Sequence, residues 1–493
     1  MINSVTILGG GTAGLISALM LRATYSNLKI TVVESSQYGI IGVGEGSTEH
    51  WRGFMNHCSI DVFDLVKETG ATFKTGIRFE NWNGDGKEYW HSLPEYVASR
   101  DERTGIYSTM VKMIADDSDP MLSVYSASIK SEHSEPYHDI VNQYHFDTNK
   151  LNTFFHKLCN ERNIDVVDDI VEDVIIENGI VKSLIGQKKF YAADFFIDSS
   201  GFRKIINSKL DVKWVDCSNQ LPMNSAIAAP SPREEEIPSH TLARALSSGW
   251  MWRIPTQDRF GNGYVYCDKF ISDEDAEKEF RSQFPYDITI AKKIKFSAGY
   301  VDKFWAANCL SVGLAGMFVE PLEATSIGST IQQMFGFCSD IFYWTKENQN
   351  VSKTYNKTFR KVAENIIDFV QLHYMTSRDD SEFWKWAKDN IELTEFHKEH
   401  LETFKTQLPG LGHFNSYFTM FKELNYLQVM HGLGLFDNQA IHSKINTHIP
   451  WVNKQAQDNF ISVHQHIKES TYVSHRTALN EILKRHTAVH YKI

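Results

Sequence analysis

The stretch from Val5 to Glu34, VTILGGGTAGLISALMLRATYSNLKITVVE, constrains the fold more than any other part of the chain. Val5, Ile7 and Leu8 make a short apolar strand that runs directly into Gly9, Gly11 and Gly14, the G-x-G-x-x-G spacing. Gly9 permits the tight strand-to-helix turn, Gly11 lets the backbone approach a pyrophosphate, and Gly14 lets the helix pack closely on the strand. The N–H groups and positive dipole end of that helix then face the anion. Leu15, Ala18, Leu19 and Ala23 recur at helical spacing, and Lys29 to Val33 form a second strand ending in Glu34. An acid about 20 positions beyond the glycines is placed to accept a ribose 2′-hydroxyl. Strand, glycines, helix, strand and acid in this order imply dinucleotide binding. The motif alone does not separate FAD from NAD.

The 493 residues suit two or three domains, and 42% hydrophobic with 23% charged residues is a globular composition. A net charge of −11 without a basic run argues against a nucleic-acid partner. The six cysteines, scattered without C-x-x-C spacing, predict buried reduced thiols and neither a metal nor a redox pair. No signal peptide precedes the first strand and no apolar run approaches the ~20 residues of a membrane span, so a cytoplasmic protein is expected.

Further along, SSQYGIIGVGEGSTEHW forms a glycine-rich strap in which Gly42, Gly44 and Gly46 can lie against a ligand. Glu49 to Leu65 read as a helix. Ala71 to Trp82 alternate, with Phe73, Ile77 and Phe79 on one face and Lys74, Arg78 and Glu80 on the other. By pattern alone Lys74 is a solvated strand residue. Asp101 to Glu135 read as an insertion of loops and short helices. Tyr144 to Cys159 follow a helical pattern introduced by Asp147 as a cap, and Ile164 to Ile185 read as strands turning at Asn178-Gly179. Phe190 to Arg203 form a buried strand whose end, at Asp198 and Gly201, is a second place to meet the nucleotide. Met223–Ala229, Trp250–Ile254 and Gly263–Cys267 read as a sheet covering one side of a cofactor. After a strand at Cys309 to Gly313, Ile327 to Tyr343 run as a helix, and the reading is mostly helical from Asp340 onward.

Taken together these stretches resemble the flavin-dependent halogenases, the tryptophan-halogenase family. GGGTAG (Gly9 to Gly14) and GIIGVGEGS (Gly39 to Ser47) look like that family's FAD site, and Trp250-Met251-Trp252-Arg253-Ile254-Pro255 is similar to its W-x-W-x-I-P signature. FKTGIRFENW, YHFD, FIDSSG, RFGNGYV, EPLEATSIG, HYMTSRDD and GLG match in order over nearly the whole chain. The resemblance implies an α/β fold: a Rossmann-like FAD-binding domain of the aromatic-hydroxylase type with a covering β-sheet, plus a helical C-terminal subdomain. The expected boundaries are 1–340, with substrate-side insertions at about 85–145, and 341–493.

It also implies chemistry. FAD, as FADH2, reacts with O2, and a halide ion is oxidised to hypohalous acid, which travels inside the protein to a separate aromatic substrate. Lys74 and Glu323 match the residues that meet the oxidant there: an ammonium can donate to it or be halogenated, and a carboxylate can orient it and take the arenium proton. Gly9, Gly11, Thr12, Ala13, Gly14, Glu34, Gly44, Glu45, Gly46 and Ile327 are the expected cofactor contacts. Thr325 and Ser326 match the halide site, His91 and Leu93 the substrate site, and Trp250 and Trp252 the wall that shields the flavin. Ala324 stands where the family usually has serine, Ser326 where it has glycine, and Leu93 where tryptophan enzymes have phenylalanine. No Phe-Trp pair accompanies Met420 and Phe421. An indole, phenol or other electron-rich arene is therefore expected in place of free tryptophan, with bromide and iodide favoured over chloride because they are easier to oxidise. Without a second glycine fingerprint, FADH2 is expected from a separate NAD(P)H-dependent flavin reductase. A flavin-dependent aromatic monooxygenase or FAD-dependent reductase is the alternative, a decayed nucleotide-binding protein a third reading, and the oligomeric state is left open.

Overall fold

A computed structural model of the chain describes residues 2–39, 44–91, 112, 114–115, 143–345, 348–414, 419–448, 454, 458, 461 and 474–490. Leu93, Gly42 and nearly all of the expected insertion at 101–135 lie outside the described residues. The chain divides into two compact units, each assembled from three segments. Met1–Thr69, Phe146–Ser218 and Ser297–Glu364 make the first, and Gly70–His145, Asn219–Phe296 and Asn365–Ile493 the second. This division interleaves the chain, whereas the boundary at 340 would cut it once.

The first unit is built on a six-stranded sheet in the order Trp305–Ala306, Cys309–Ser311, Phe195–Asp198, Ser4–Leu8, Lys29–Glu34, Asp165–Asp168. Ser4–Leu8 is central and pairs in parallel with both neighbours, Ile7 opposite Val32 and Ile197. Central parallel strands are buried on both faces, which is why these read as continuous apolar runs. The glycine turn leaves the carboxyl end of the middle strand, where ligands bind in open parallel sheets. Helix Thr12–Thr24 follows it.

Asp147 caps helix Thr148–Glu161, its carboxylate accepting the N–H groups of Asn149 at 3.0 Å and Lys150 at 3.2 Å. The helix expected from Tyr144 thus starts after the cap, and Gln143–Phe146 is instead a buried strand. The strand turn at Asn178 and Gly179 holds both residues at positive φ, 52° and 73°, which suits a tight two-residue hairpin. Leu8, Val33, Val174, Leu184, Phe196 and Cys309 share one core. The single helix expected over Glu49 to Leu65 is two, His50–His57 and Val62–Thr69, broken where Ser59 takes φ 50°.

The second unit is organised on a seven-stranded sheet in the order Lys292–Lys295, Ser225–Pro232, Arg259–Tyr266, Gly249–Pro255, His240–Leu246, Gly76–Glu80, Glu88–His91. His240–Leu246 was not legible as a strand, yet it joins the halves of this sheet, pairing in parallel with Gly76–Glu80. The alternating run Ala71 to Trp82 is also two strands, Thr72–Lys74 and Gly76–Glu80. Thr75 separates them and donates its N–H to the Ser239 carbonyl at 2.7 Å. Helices Glu382–Asn390, Glu395–Phe404, Glu423–Gly432, Asn438–His448 and His475–His490 belong to this unit and lie in the helical C-terminal region expected from the sequence.

Candidate active site

In the first unit the glycine turn is held by backbone, by the Ser199 hydroxyl and by the Asn152 amide. Gly9 adopts φ 113°, donates its N–H to the Val33 carbonyl at 2.8 Å, and lies so close to Ser199 that a Cβ would overlap its carbonyl. The Ser199 Oγ reaches the Leu8 and Gly9 carbonyls, both at 2.9 Å. A Cβ on Gly14 would overlap the Gly9 carbonyl oxygen, whereas one on Gly11 would meet no described atom within 4 Å. Gly11 caps the helix with no side-chain hydrogen bond, so the first-turn N–H groups of Thr12, Ala13 and Gly14 carry no side-chain cap. Ala13 lies against Gly313, and helix Thr12–Thr24 packs on helix Thr325–Asp340.

Glu34 sits against Gly10, where a Cβ would overlap its carboxylate, and its Oε2 lies 3.3 Å from His156 Nε2. That hydrogen bond raises the His156 pKa. Asn152, one turn before His156, donates Nδ2–H to the Gly10 carbonyl at 2.7 Å. The Thr148–Glu161 helix therefore presents an i, i+4 pair to the fingerprint. Glu45, in the short Glu45–Gly46 strand after Gly44, has a side-chain hydrogen bond with Thr12 and one buried oxygen, Oε2, without a described partner. Burial pushes its carboxyl up to about 7. An uncapped helix start, an open Gly11 face and an orphan carboxyl oxygen beside Thr12 fit a bound dinucleotide.

The EPLEATSIG loop closes the same unit. Pro321–Glu323 form a single 3-10 turn, and Ala324, at φ 54° and ψ 38°, turns the chain into helix Thr325–Asp340. The helix begins two residues before the expected Ile327 because the left-handed residue is Ala324. Glu323 and Thr325 are each 3% exposed, Ile327 is buried and Ser326 faces solvent. No side chain caps this helix either, so its first N–H groups and dipole end suit a small anion.

In the second unit Lys74 ends the Thr72–Lys74 strand opposite Gln143 and is 3% exposed, which corrects the solvated reading of its pattern. A three-residue strand that breaks at Thr75 has no alternating faces to sort lysine outward. Buried histidines held neutral lie nearby in the fold: burial, followed by the Lys74 charge, lowers His145 well below its ordinary value, and His475 and His240, which act on His145, are taken by burial to about 4 and about 3. His91 is buried opposite Ile77, its Nε2 accepting from Asn425 Nδ2 at 2.9 Å and its ring 5.1 Å from that of Phe369. Trp250 and Trp252 share one face of their strand, ring centroids 6.2 Å apart, while Met251 enters the core on the other. The Trp252 ring lies over Gly263, its register partner.

The family model for tryptophan halogenase matches residues 4–446. The chain belongs to the tryptophan halogenase family. It is 29% identical over 445 residues to tryptophan 6-halogenase ThaL of Streptomyces albogriseolus, covering 83% of each protein. Tryptophan 7-halogenase RebH of Lentzea aerocolonigenes is 26% identical over 515 residues, covering 94% of this chain and 95% of that one. The crystal structure of a tryptophan halogenase from Shewanella frigidimarina superposes with a TM-score of 0.89 at 25% identity over 98% of both chains. The enzyme is thus of the flavin-dependent halogenase type, for which FAD, a halide and O2 are the reagents.

Within this halogenase, Gly9 to Gly14, Glu34, Gly44 to Gly46, Glu323, Thr325, Ser326 and Ile327 fall in one unit. Lys74, His91, Trp250 and Trp252 fall in the other. Asp198, expected to meet the nucleotide, is consumed internally: its fully buried carboxylate accepts from Ser200 N and Oγ, Ile206 N and Asn207 N at 2.6–3.0 Å. Sequence reasoning missed Asn152, His156, His475 and Asn425. Only the i, i+4 spacing of Asn152 and His156, off the Leu151, Phe154, Phe155 and Leu158 face, carried a signal. No described helix is long and apolar enough to cross a membrane.

Proposed function

We propose that this halogenase transfers an oxidised halide, bromide or iodide in preference to chloride, to an electron-rich arene such as an indole or phenol in place of free tryptophan. ThaL and RebH are named as tryptophan halogenases, and the departures at Ala324, Ser326 and Leu93 motivate the different choice here. The observation that supports a catalytic Lys74 is its deep burial beside the neutral His145, because taking an ammonium out of water costs free energy that a solvated strand lysine does not bear.

FAD, reduced by a separate NAD(P)H-dependent flavin reductase and reacting with O2, supplies the two-electron oxidation of halide to hypohalous acid. Gly9 to Gly14, Glu34, Gly44 to Gly46 and Ile327 hold the cofactor. Thr325 and the N–H of Ser326 hold the halide at the helix start. Trp250 and Trp252 keep the substrate from the flavin, so that only the small oxidant passes. Lys74 donates a hydrogen bond to the hypohalous acid and polarises it. The O–X bond breaks as the ring carbon takes the halogen, the oxygen leaves as hydroxide, and Glu323 accepts the ring proton and passes it on to that hydroxide, giving water. His91 and Leu93 contact the arene.

The test is mass spectrometry of an indole and phenol panel incubated with protein, FAD, flavin reductase, NADH and chloride, bromide or iodide separately. Halide-dependent mass shifts that vanish in Lys74→Ala and Glu323→Ala are expected. Oxygenated products, or halogenation of free tryptophan ahead of the panel, would overturn the reading.

A further inference from the structure

Lys74 lies between two backbone segments that diverge. On its C-terminal side Thr75 donates its N–H directly to Ser239, at 2.7 Å, and its hydroxyl reaches the same carbonyl at 2.9 Å. From there Gly76–Glu80 and His240–Leu246 run on as paired parallel strands. On the N-terminal side the pairing stops. Phe73 and Ile237 are joined instead through the imidazole of His475, which comes from the last described helix of the chain. The Phe73 N–H donates to His475 Nε2 at 3.1 Å, and His475 Nδ1 lies 3.2 Å from the Ile237 carbonyl. The Phe73 ring stacks on the same imidazole, centroids 5.9 Å apart at 27°.

This arrangement fixes the protonation state. A backbone N–H can only donate and a carbonyl can only accept, so Nε2 must be bare and Nδ1 must carry the single proton. Burial acts in the same direction, holding the group at about 4. Thr72, on the other side of Phe73, is held in the same way. Its hydroxyl donates to the Pro255 carbonyl at 2.7 Å and therefore accepts from His145 Nδ1 at 3.2 Å, while His145 Nε2 accepts from Thr241 Oγ1 at 2.9 Å. The short strand sits at the edge of its sheet, and the Phe73 N–H is directed to the imidazole. A neutral imidazole stands in for the missing strand.

We propose that His475 is a positioning residue for Lys74, setting the backbone immediately before the lysine by bridging Phe73 to Ile237. The proposal rests on the reading of Lys74 as catalytic. Through this bridge the C-terminal helix takes part in halogen transfer without touching the reacting atoms.

The experiment uses the full chain with FAD, flavin reductase, NADH and bromide, and indole as the aromatic probe. Four quantities are read: FAD affinity, hypobromous acid escaping to a small soluble trap, and the kcat and KM of indole bromination. In His475→Phe, FAD affinity and escaping hypobromous acid stay at wild-type levels, while kcat for bromination falls on the order of a hundredfold with KM nearly unchanged. His475→Gln, whose amide oxygen reaches the place of Nε2, recovers most of kcat; His475→Asn, too short to do so, does not. Should His475→Phe fail to fold, the Gln and Asn pair decides alone. Wild-type bromination by His475→Phe, equal activity of Gln and Asn, or a parallel loss of FAD binding would overturn the proposal while Lys74→Ala remains inactive. A Lys74→Ala protein that brominates normally overturns the reading of Lys74 itself, and this proposal with it.

Discussion

The Oε2 of Glu34 and the Nε2 of His156 stand 3.3 Å apart across the edge of the glycine turn, with Gly10 beneath the carboxylate. Hydrogen bonding to Glu34 raises the histidine's pKa. A raised value means that the pair's stabilisation is full below the ordinary histidine range and is lost as pH rises through the folded-state pKa. Both side chains are partly exposed, so the contribution is at most about 1 kcal/mol. His156→Ala is expected to flatten the fall in melting temperature between about pH 6 and pH 8. An unchanged pH profile would show that the pair contributes nothing.

Glu45 gives the opposite kind of dependence to a carboxylate in an ion pair. Burial raises its carboxyl from 4.5 to about 7, so the folded protein keeps a proton that the unfolded chain releases. Stability is therefore lost as pH rises from the ordinary carboxylate range to neutrality. Glu45→Gln should remove that component, read by urea denaturation across the same interval. Because a neutral carboxyl does not repel a diphosphate, FAD should bind wild type more tightly below neutrality than above it, and Glu45→Gln with no such change. Equal FAD affinity at both ends in wild type would rule out a titrating Glu45 at the cofactor.

Two glycines of one motif are expected to fail differently. Gly14→Ala forces a methyl into the Gly9 carbonyl and should cost about 1–3 kcal/mol of stability, seen in thermal melts without cofactor. Gly11→Ala meets no described atom and should cost less than about 1 kcal/mol. Its FAD affinity should nevertheless drop at least about tenfold, roughly 1.4 kcal/mol. Normal FAD binding by Gly11→Ala would show that the open face is not the cofactor's.

Asp198 is predicted to be structural. Asp198→Ala strips partners from the buried N–H groups of Ile206 and Asn207 and should cost about 3 kcal/mol in urea denaturation. Whatever protein remains folded should bind FAD normally. A stable variant with weakened FAD binding would return Asp198 to the cofactor site.

Much of this was legible because it is local. The glycine turn, the Asp147 cap and the Asn178-Gly179 hairpin each depend on a handful of consecutive residues whose conformational preferences agree. Family resemblance added what local rules could not, singling out Lys74 although its own alternation pointed to water. The alternation failed because periodicity assumes a continuous strand, and Thr75 leaves the run to bond with Ser239. Asp198 was misread for a related reason: a strand-end acid beside glycine looks the same whether it meets a ligand or caps its own chain.

By itself, then, the sequence determined the dinucleotide fold, the family and the types of residue offered to the chemistry. Only the tertiary structure decided which of them are buried and what they meet. His475 lies 402 positions from Phe73 and His156 more than a hundred from Glu34. Such pairings exist only after the sheets have formed, because hydrogen bonds between distant residues are set by where strands diverge or end, and no spacing rule in the chain records that.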